Sequence, residues 1–131
     1  MSTLLRGRTI GLWLMALLLL VMGTIHFLRP SAFVEIVPPW VPWPWGAVYV
    51  SGAFELLLGC GLLIPRLSRL AALGVVALLV AVFPANVYHW LRDVRTAGTL
   101  LPSWYHVVRL PLQAVLVGWA LWLSRPPKSE A

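Results

Sequence analysis

Charge is what this chain has least of. Only 11% of its 131 residues are Asp, Glu, Lys or Arg, against 60% hydrophobic, and Asp and Glu together number 4. An ordinary soluble domain carries about 25% charged residues, and a disordered one is poorer in apolar side chains, so both classes are excluded. Cysteine is nearly absent: Cys60 stands alone, which excludes an intrachain disulfide and a Cys-x-x-Cys couple. Set between Gly59 and Gly61 in an apolar run, it reads as a small packing residue. No His-x-x-x-His or His-x-x-Glu spacing occurs, so neither a metal nor a haem is expected. No stretch recurs with a period of 20 to 50 residues, which argues against a tandem-repeat architecture. The net charge of +6 would suggest a nucleic-acid partner in a soluble chain. Here the basic residues lie between long apolar runs, where they set membrane orientation, and no nucleic acid is expected.

What is there is hydrophobic length. Four runs, at about 9–28, 47–64, 70–90 and 104–123, approach or reach the roughly 20 residues that a helix needs to cross a bilayer. The reading is an all-α membrane protein, a single domain over 1–131, built as an antiparallel four-helix transmembrane bundle. The first run has a basic start but no Ala-x-Ala cleavage pattern after it, so it reads as a retained span rather than a signal peptide. Arg29-Pro30 stops it, and Ser31 is expected to cap a short turn through SAFVEIV. PPWVPWPW follows at 38–45. Its prolines forbid regular helix, while Trp40, Trp43 and Trp45 are of the type that settles at headgroup level, so 30–46 is expected to form an interfacial cap between spans one and two. A plain tryptophan-anchored loop is the competing reading. Pro65-Arg66-Leu67-Ser68-Arg69 makes a tight basic turn, and Pro102-Ser103 marks the start of the last span, with Ser103 as its cap. Arg6, Arg8, Arg66, Arg69, Arg125 and Lys128 fall on one side, and Arg29, Arg92, Arg95 and Arg109 on the other. By the positive-inside rule both termini are cytoplasmic, in a multi-pass protein of a bacterial-type inner membrane.

Within these spans the polar residues gather in one half. Glu55 lies in YVSGAFELLLGCGLLIP, on one helix face with Gly52 and Gly59, and an acidic residue at mid-span costs roughly 2.5 to 3.5 kcal/mol unless it has a partner. At 1.5 Å per residue it lies roughly 12 Å from the outer start of its span, and Gln113 sits at a similar depth. His26, Asn86, His89 and Arg109 fall nearer the same end, and Arg109 is the expected partner of Glu55. Two readings of the six residues stay open: a network that locks helices in register, or the polar floor of a pocket beneath the tryptophan cap.

The segments HFLRPSAFVEIVPPWVPWP, VYVSGAFELLLGCGLLIP, FPAN and RLPLQ, in this order, resemble the DoxX-like family of small four-helix membrane proteins over residues 9–123. The resemblance implies that His26, Pro30, Phe33, Pro38, Pro39, Glu55, Pro84, Asn86 and Gln113 are positions of the family pattern. It also implies the company such proteins keep: membrane subunits of thiosulfate:quinone oxidoreductase type, partners in oxidative-stress redox complexes, and a receptor-assembly chaperone. The lone cysteine departs from relatives with paired thiols. Two functions are therefore expected. One is a subunit or partner of a redox system that binds a quinone-like or lipid-like molecule, with no enzyme activity of its own; the other is a chaperone or assembly factor for membrane proteins. The partners on these readings are the bilayer, a membrane protein and a hydrophobic small molecule.

Overall fold

The computed structural model describes residues 3–35, 37–95 and 103–126. They form α1 (Thr3–Leu28), α2 (Pro30–Val34), α3 (Pro44–Leu62), α4 (Ser68–Arg95) and α5 (Ser103–Ser124), with no strand among them. α4 runs on to Arg95, past the end expected near residue 90, and the segments 96–102 and 127–131, which hold part of the stretch between spans three and four and most of the residues after the last span, lie outside the described residues.

Proline sets most of the boundaries. The Arg29 amide still closes the last turn of α1 on Ile25 O at 2.8 Å, but Arg29 itself is held out of the helical region at φ −134°, as a residue before proline prefers. Pro30 then takes the first position of α2, so the expected cap at Ser31 is not used: Arg29 occupies the capping position and makes no side-chain bond there. The same device begins α3, where Trp43 is extended at φ −136° and Pro44 opens the helix ahead of the expected residue 47. After α3 the turn closes through Leu67 N to Ile64 O at 2.9 Å, and the Ser68 hydroxyl donates to Pro65 O at 3.2 Å as α4 begins. Ser103 opens α5, but its side chain, on which the expected capping role rests, is outside the described part of the structure.

Three of the helices, over Arg6–Leu28, Pro44–Leu62 and Ser68–Tyr88, are long and apolar enough to cross a membrane. α5 adds a shorter apolar stretch, Val108–Ser124. Their outer surfaces are as apolar as their seams. Trp13, Leu17, Leu57, Leu70, Val80 and Val115 are all exposed, a distribution that water would penalise and lipid favours. The chain is an integral membrane protein. Cys60 also faces outward, which corrects the expectation that it packs inside: the seam positions on either side of it are taken by Gly59 and Gly61, both buried.

Small residues let the backbones meet. α1 packs along α3 with opposed chain direction, Gly23 beside Gly52 and Ala16 beside Gly59. A Cβ on Gly52 would lie 2.8 Å from His26 Cβ, and one on Gly23 would lie 2.9 Å from Gly52 O, so a larger residue at this crossing would push the helices apart. α3 packs on α4, and α4 on α5. Met15, Ala16, Leu19, Leu62, Ala71, Ala72, Val75, Ala120 and Leu123 form a buried apolar cluster drawn from all four long helices. It lies toward the α3–α4 turn, leaving the opposite end of the helices for polar groups.

Candidate functional site

The α1–α3 crossing places His26 opposite Glu55. The His26 ring is fixed twice. Its Nδ1 lies 2.7 Å from Met22 O, and because a carbonyl can only accept, Nδ1 must carry the hydrogen. The ring also stacks on Phe33 of α2, with centroids 3.8 Å apart and planes 15° from parallel. In the neutral imidazole this leaves Nε2 as an acceptor. Glu55 Oε2 is 3.3 Å from His26 Nδ1, close enough to pair with an imidazolium. The Nδ1 hydrogen, however, is committed to Met22, and Glu55 Oε2 is buried with no hydrogen-bond partner among the described residues.

A second set of polar groups joins α4 and α5. The Arg109 guanidinium donates from Nη2 to Asn86 Oδ1 at 2.5 Å. Asn86 Nδ2 donates in turn to Gln113 Oε1, and Gln113 Nε2 donates to Leu79 O at 2.6 Å. Every bond in this chain runs the same way, from the cation to a backbone carbonyl. Arg109 and Gln113 reach Asn86 together because they lie one turn apart on α5. Pro84 removes the amide that would serve Val80 O, and Gln113 supplies an interhelical donor to that same turn of α4. The expected Glu55–Arg109 pair is therefore replaced: Glu55 meets His26, and Arg109 binds Asn86. Geometry explains the exchange, since α3 packs most closely on α1 and α5 on α4.

The two sets face one cleft of about 310 Å³. His26, Glu55, Ser51, Asn86 and Arg109 give it polar groups, and Phe33, Val37, Pro38, Trp40, Val48 and Val82 give it apolar walls. Of the six expected polar residues, four line this cleft. Gln113 is tied to it through Asn86 and itself borders a smaller apolar hollow of about 170 Å³ with Leu79, Val80 and Phe83. His89 lies on α4, but its side chain is outside the described part of the structure. Of the three tryptophans, only Trp40 lines the cleft, and it also meets Tyr88 edge-on at 6.3 Å. The Trp43 ring lies against Gly46, and Trp45 is tilted against Tyr49 at 6.5 Å.

Sequence reasoning missed the His26–Glu55 approach and the place of Ser51 in the wall. A signal was present: Gly52 lies one turn before Glu55 on α3, and with no side chain there α1 comes close enough to set His26 Cβ 2.8 Å from where a Gly52 Cβ would lie, within reach of Glu55. Ser51 stands one turn before Glu55 and so shares its face. Among the described residues, no three of His, Cys, Asp and Glu gather to hold a metal.

Residues 15–124 match a protein family described as Domain of unknown function (DUF8561). The chain belongs to this family. No curated protein and no solved structure matches it. The DUF8561 match takes in the whole of the cleft, from Met22 to Arg109, together with Gln113.

Proposed function

We propose that this protein is an antiparallel four-helix transmembrane bundle of a bacterial-type inner membrane, both termini cytoplasmic, with residues 30–46 as a cap. Its cleft binds a quinone-like or lipid-like molecule, a polar head on an apolar body, as a membrane subunit or partner of a redox system. One observation carries the reading. A single cleft between apolar walls combines an unpartnered carboxylate oxygen and an imidazole on the α1–α3 side with a guanidinium on the α4–α5 side. Pockets of roughly 300 to 1,000 Å³ with a few convergent polar groups are the usual form of small-molecule sites. A ligand hydroxyl can donate to Glu55, and a ligand carbonyl can accept from the Arg109 side. Trp40, Pro38 and Val37 are placed to cover the apolar body, and the resemblance to DoxX-like proteins agrees with a quinone as that body. On this reading electrons are carried by a cofactor or a partner protein rather than by the side chains of the cleft.

Binding of a short-chain benzoquinone and its hydroquinone to the purified protein tests this. Glu55→Gln should weaken the better-bound form at least tenfold, since a hydrogen bond to a charged group is worth about 1.5 to 3 kcal/mol. Trp122→Phe, on an exposed face at the other end of the helices, should leave binding unchanged. Binding of both forms that is indifferent to Glu55→Gln and to Arg109→Gln refutes the site. Co-purification of one membrane enzyme with both variants and the wild type alike would favour an assembly factor instead.

A further inference from the structure

The opposite end of the helices carries a second, unassigned polar group. Arg8 enters on the second turn of α1, roughly 27 Å along that helix from His26. Its Nη1 is buried with no hydrogen-bond acceptor among the described residues. One turn further on, Gly11 packs against Trp119, Trp122 and Leu123, so Arg8 stands beside the end of α5. Arg69 reaches the same place from α4: its Nε donates to Ser124 O at 3.1 Å, which leaves its terminal nitrogens for another acceptor. Its positive charge also acts on Arg8. Three helices thus bring two like charges together. The described carboxylates, Glu35 and Glu55, lie at the far end, with the cleft.

Two adjacent guanidinium groups at a membrane interface repel one another unless an anion lies between them. A guanidinium nitrogen enclosed by protein leaves free energy unrecovered until an acceptor is supplied. We propose that Arg8 and Arg69, at the end of α5, form a binding site for a phosphate group, of the kind carried by an anionic lipid headgroup or by free phosphate. The planar fork of arginine suits the oxygens of a phosphate, and basic sites between helices on the positive side of a membrane are where anionic headgroups concentrate. Bridging α1, α4 and α5, the anion would fasten an end where α1 and α5 otherwise touch little.

The test uses the full-length protein in nanodiscs of phosphatidylcholine, with and without phosphatidylglycerol, and in phosphatidylcholine with inorganic phosphate added. Lipid retained after gentle solubilisation is read by mass spectrometry, and thermal stability is read in each disc. Phosphatidylglycerol should be enriched over its share of the disc and should raise the melting temperature. Arg8→Gln should reduce the enrichment roughly fivefold, the size expected for one basic residue near an anionic surface, while Arg125→Gln, an exposed neighbour, should not. Stabilisation by inorganic phosphate in place of phosphatidylglycerol identifies free phosphate as the source and also supports the site. Arg8→Lys guards against a folding defect, because it keeps the charge and should keep most of the enrichment. Neither phosphatidylglycerol enrichment nor a phosphate response in the wild type, or equal losses in Arg8→Gln and Arg125→Gln, overturns the proposal. Both outcomes are independent of ligand binding in the cleft.

Discussion

Replacing Gly52 by alanine tests the crossing that builds the cleft. The added methyl would lie 2.8 Å from His26 Cβ, 3.1 Å from the Phe27 ring and 3.3 Å from Gly23 O. The nearest of these belongs to a Cβ rigidly attached to α1, so relief requires the helices to part rather than a side chain to swing. Overpacking of this kind costs about 1 to 3 kcal/mol, while Gly→Ala in a helix returns about 1 kcal/mol of backbone entropy. Gly118 supplies the reference, because a Cβ there meets nothing within 4 Å. Gly118→Ala should stabilise by about 0.5 to 1 kcal/mol. The entropic gain is common to both variants, so their difference isolates the steric cost of about 1 to 3 kcal/mol. Thermal unfolding in one detergent should therefore place Gly52→Ala below wild type or level with it, and Gly118→Ala above. Because His26 is the residue displaced, Gly52→Ala should also weaken ligand binding in the cleft, and Gly118→Ala should not. Equal melting temperatures for the two variants would refute the close approach of α1 and α3, and with it the placing of His26 against Glu55.

Asn86→Leu should be the most damaging single change in the α4–α5 contact, since it breaks the Arg109 and Gln113 bonds together and leaves the buried Gln113 Oε1 without its donor, at about 1 to 3 kcal/mol. Gln113→Leu should cost less, because Arg109 keeps Asn86, and a denaturation series comparing the two checks the order. For orientation, a cysteine placed at Ser129 in a Cys60→Ala background should react with an impermeant thiol reagent from the cytoplasmic face; labelling from outside would invert the proposed topology.

Helix positions were legible in the sequence because hydrophobic length is a one-dimensional signal. The Arg29-Pro30 stop and the turn at residue 65 are local too, and the structure puts the ends of α1 and α3 within a few residues of expectation. Cap details were less so: the steric effect of a proline on the residue before it outranked the capping chemistry of Ser31. Four of the six polar residues named from the sequence, His26, Glu55, Asn86 and Arg109, come together in one cleft, and their pairing was not legible. Charge balance suggested Glu55 with Arg109, but pairing depends on which helices are nearest neighbours, and that is decided by where small residues permit close approach. Read as contacts rather than as mere tolerance, Gly23 and Gly52 point to His26. The exposed Cys60 teaches the same lesson in reverse, since in a membrane the outward face is apolar as well, and hydrophobicity alone does not tell seam from surface.

The two polar ends are separated by a packed layer, and this constrains mechanism. Along α3, Glu55 is followed by Gly59, Gly61 and Leu62, all buried, and the layer is completed by Met15, Ala16, Ala72, Val75, Ala120 and Leu123. Several of these residues are small, yet the layer is buried and packed, because small side chains draw backbones together instead of opening space. A proton or solute reaching Glu55 from the cleft therefore meets no side chain in that layer able to pass it onward to Arg8 and Arg69. Conduction through the middle of the helices would require those residues to separate, against the close approach that their size selects for. On the proposed reading, a molecule that enters the cleft would leave from the same end, past α2 and Trp40, which suits a site that holds a ligand better than it suits a pore.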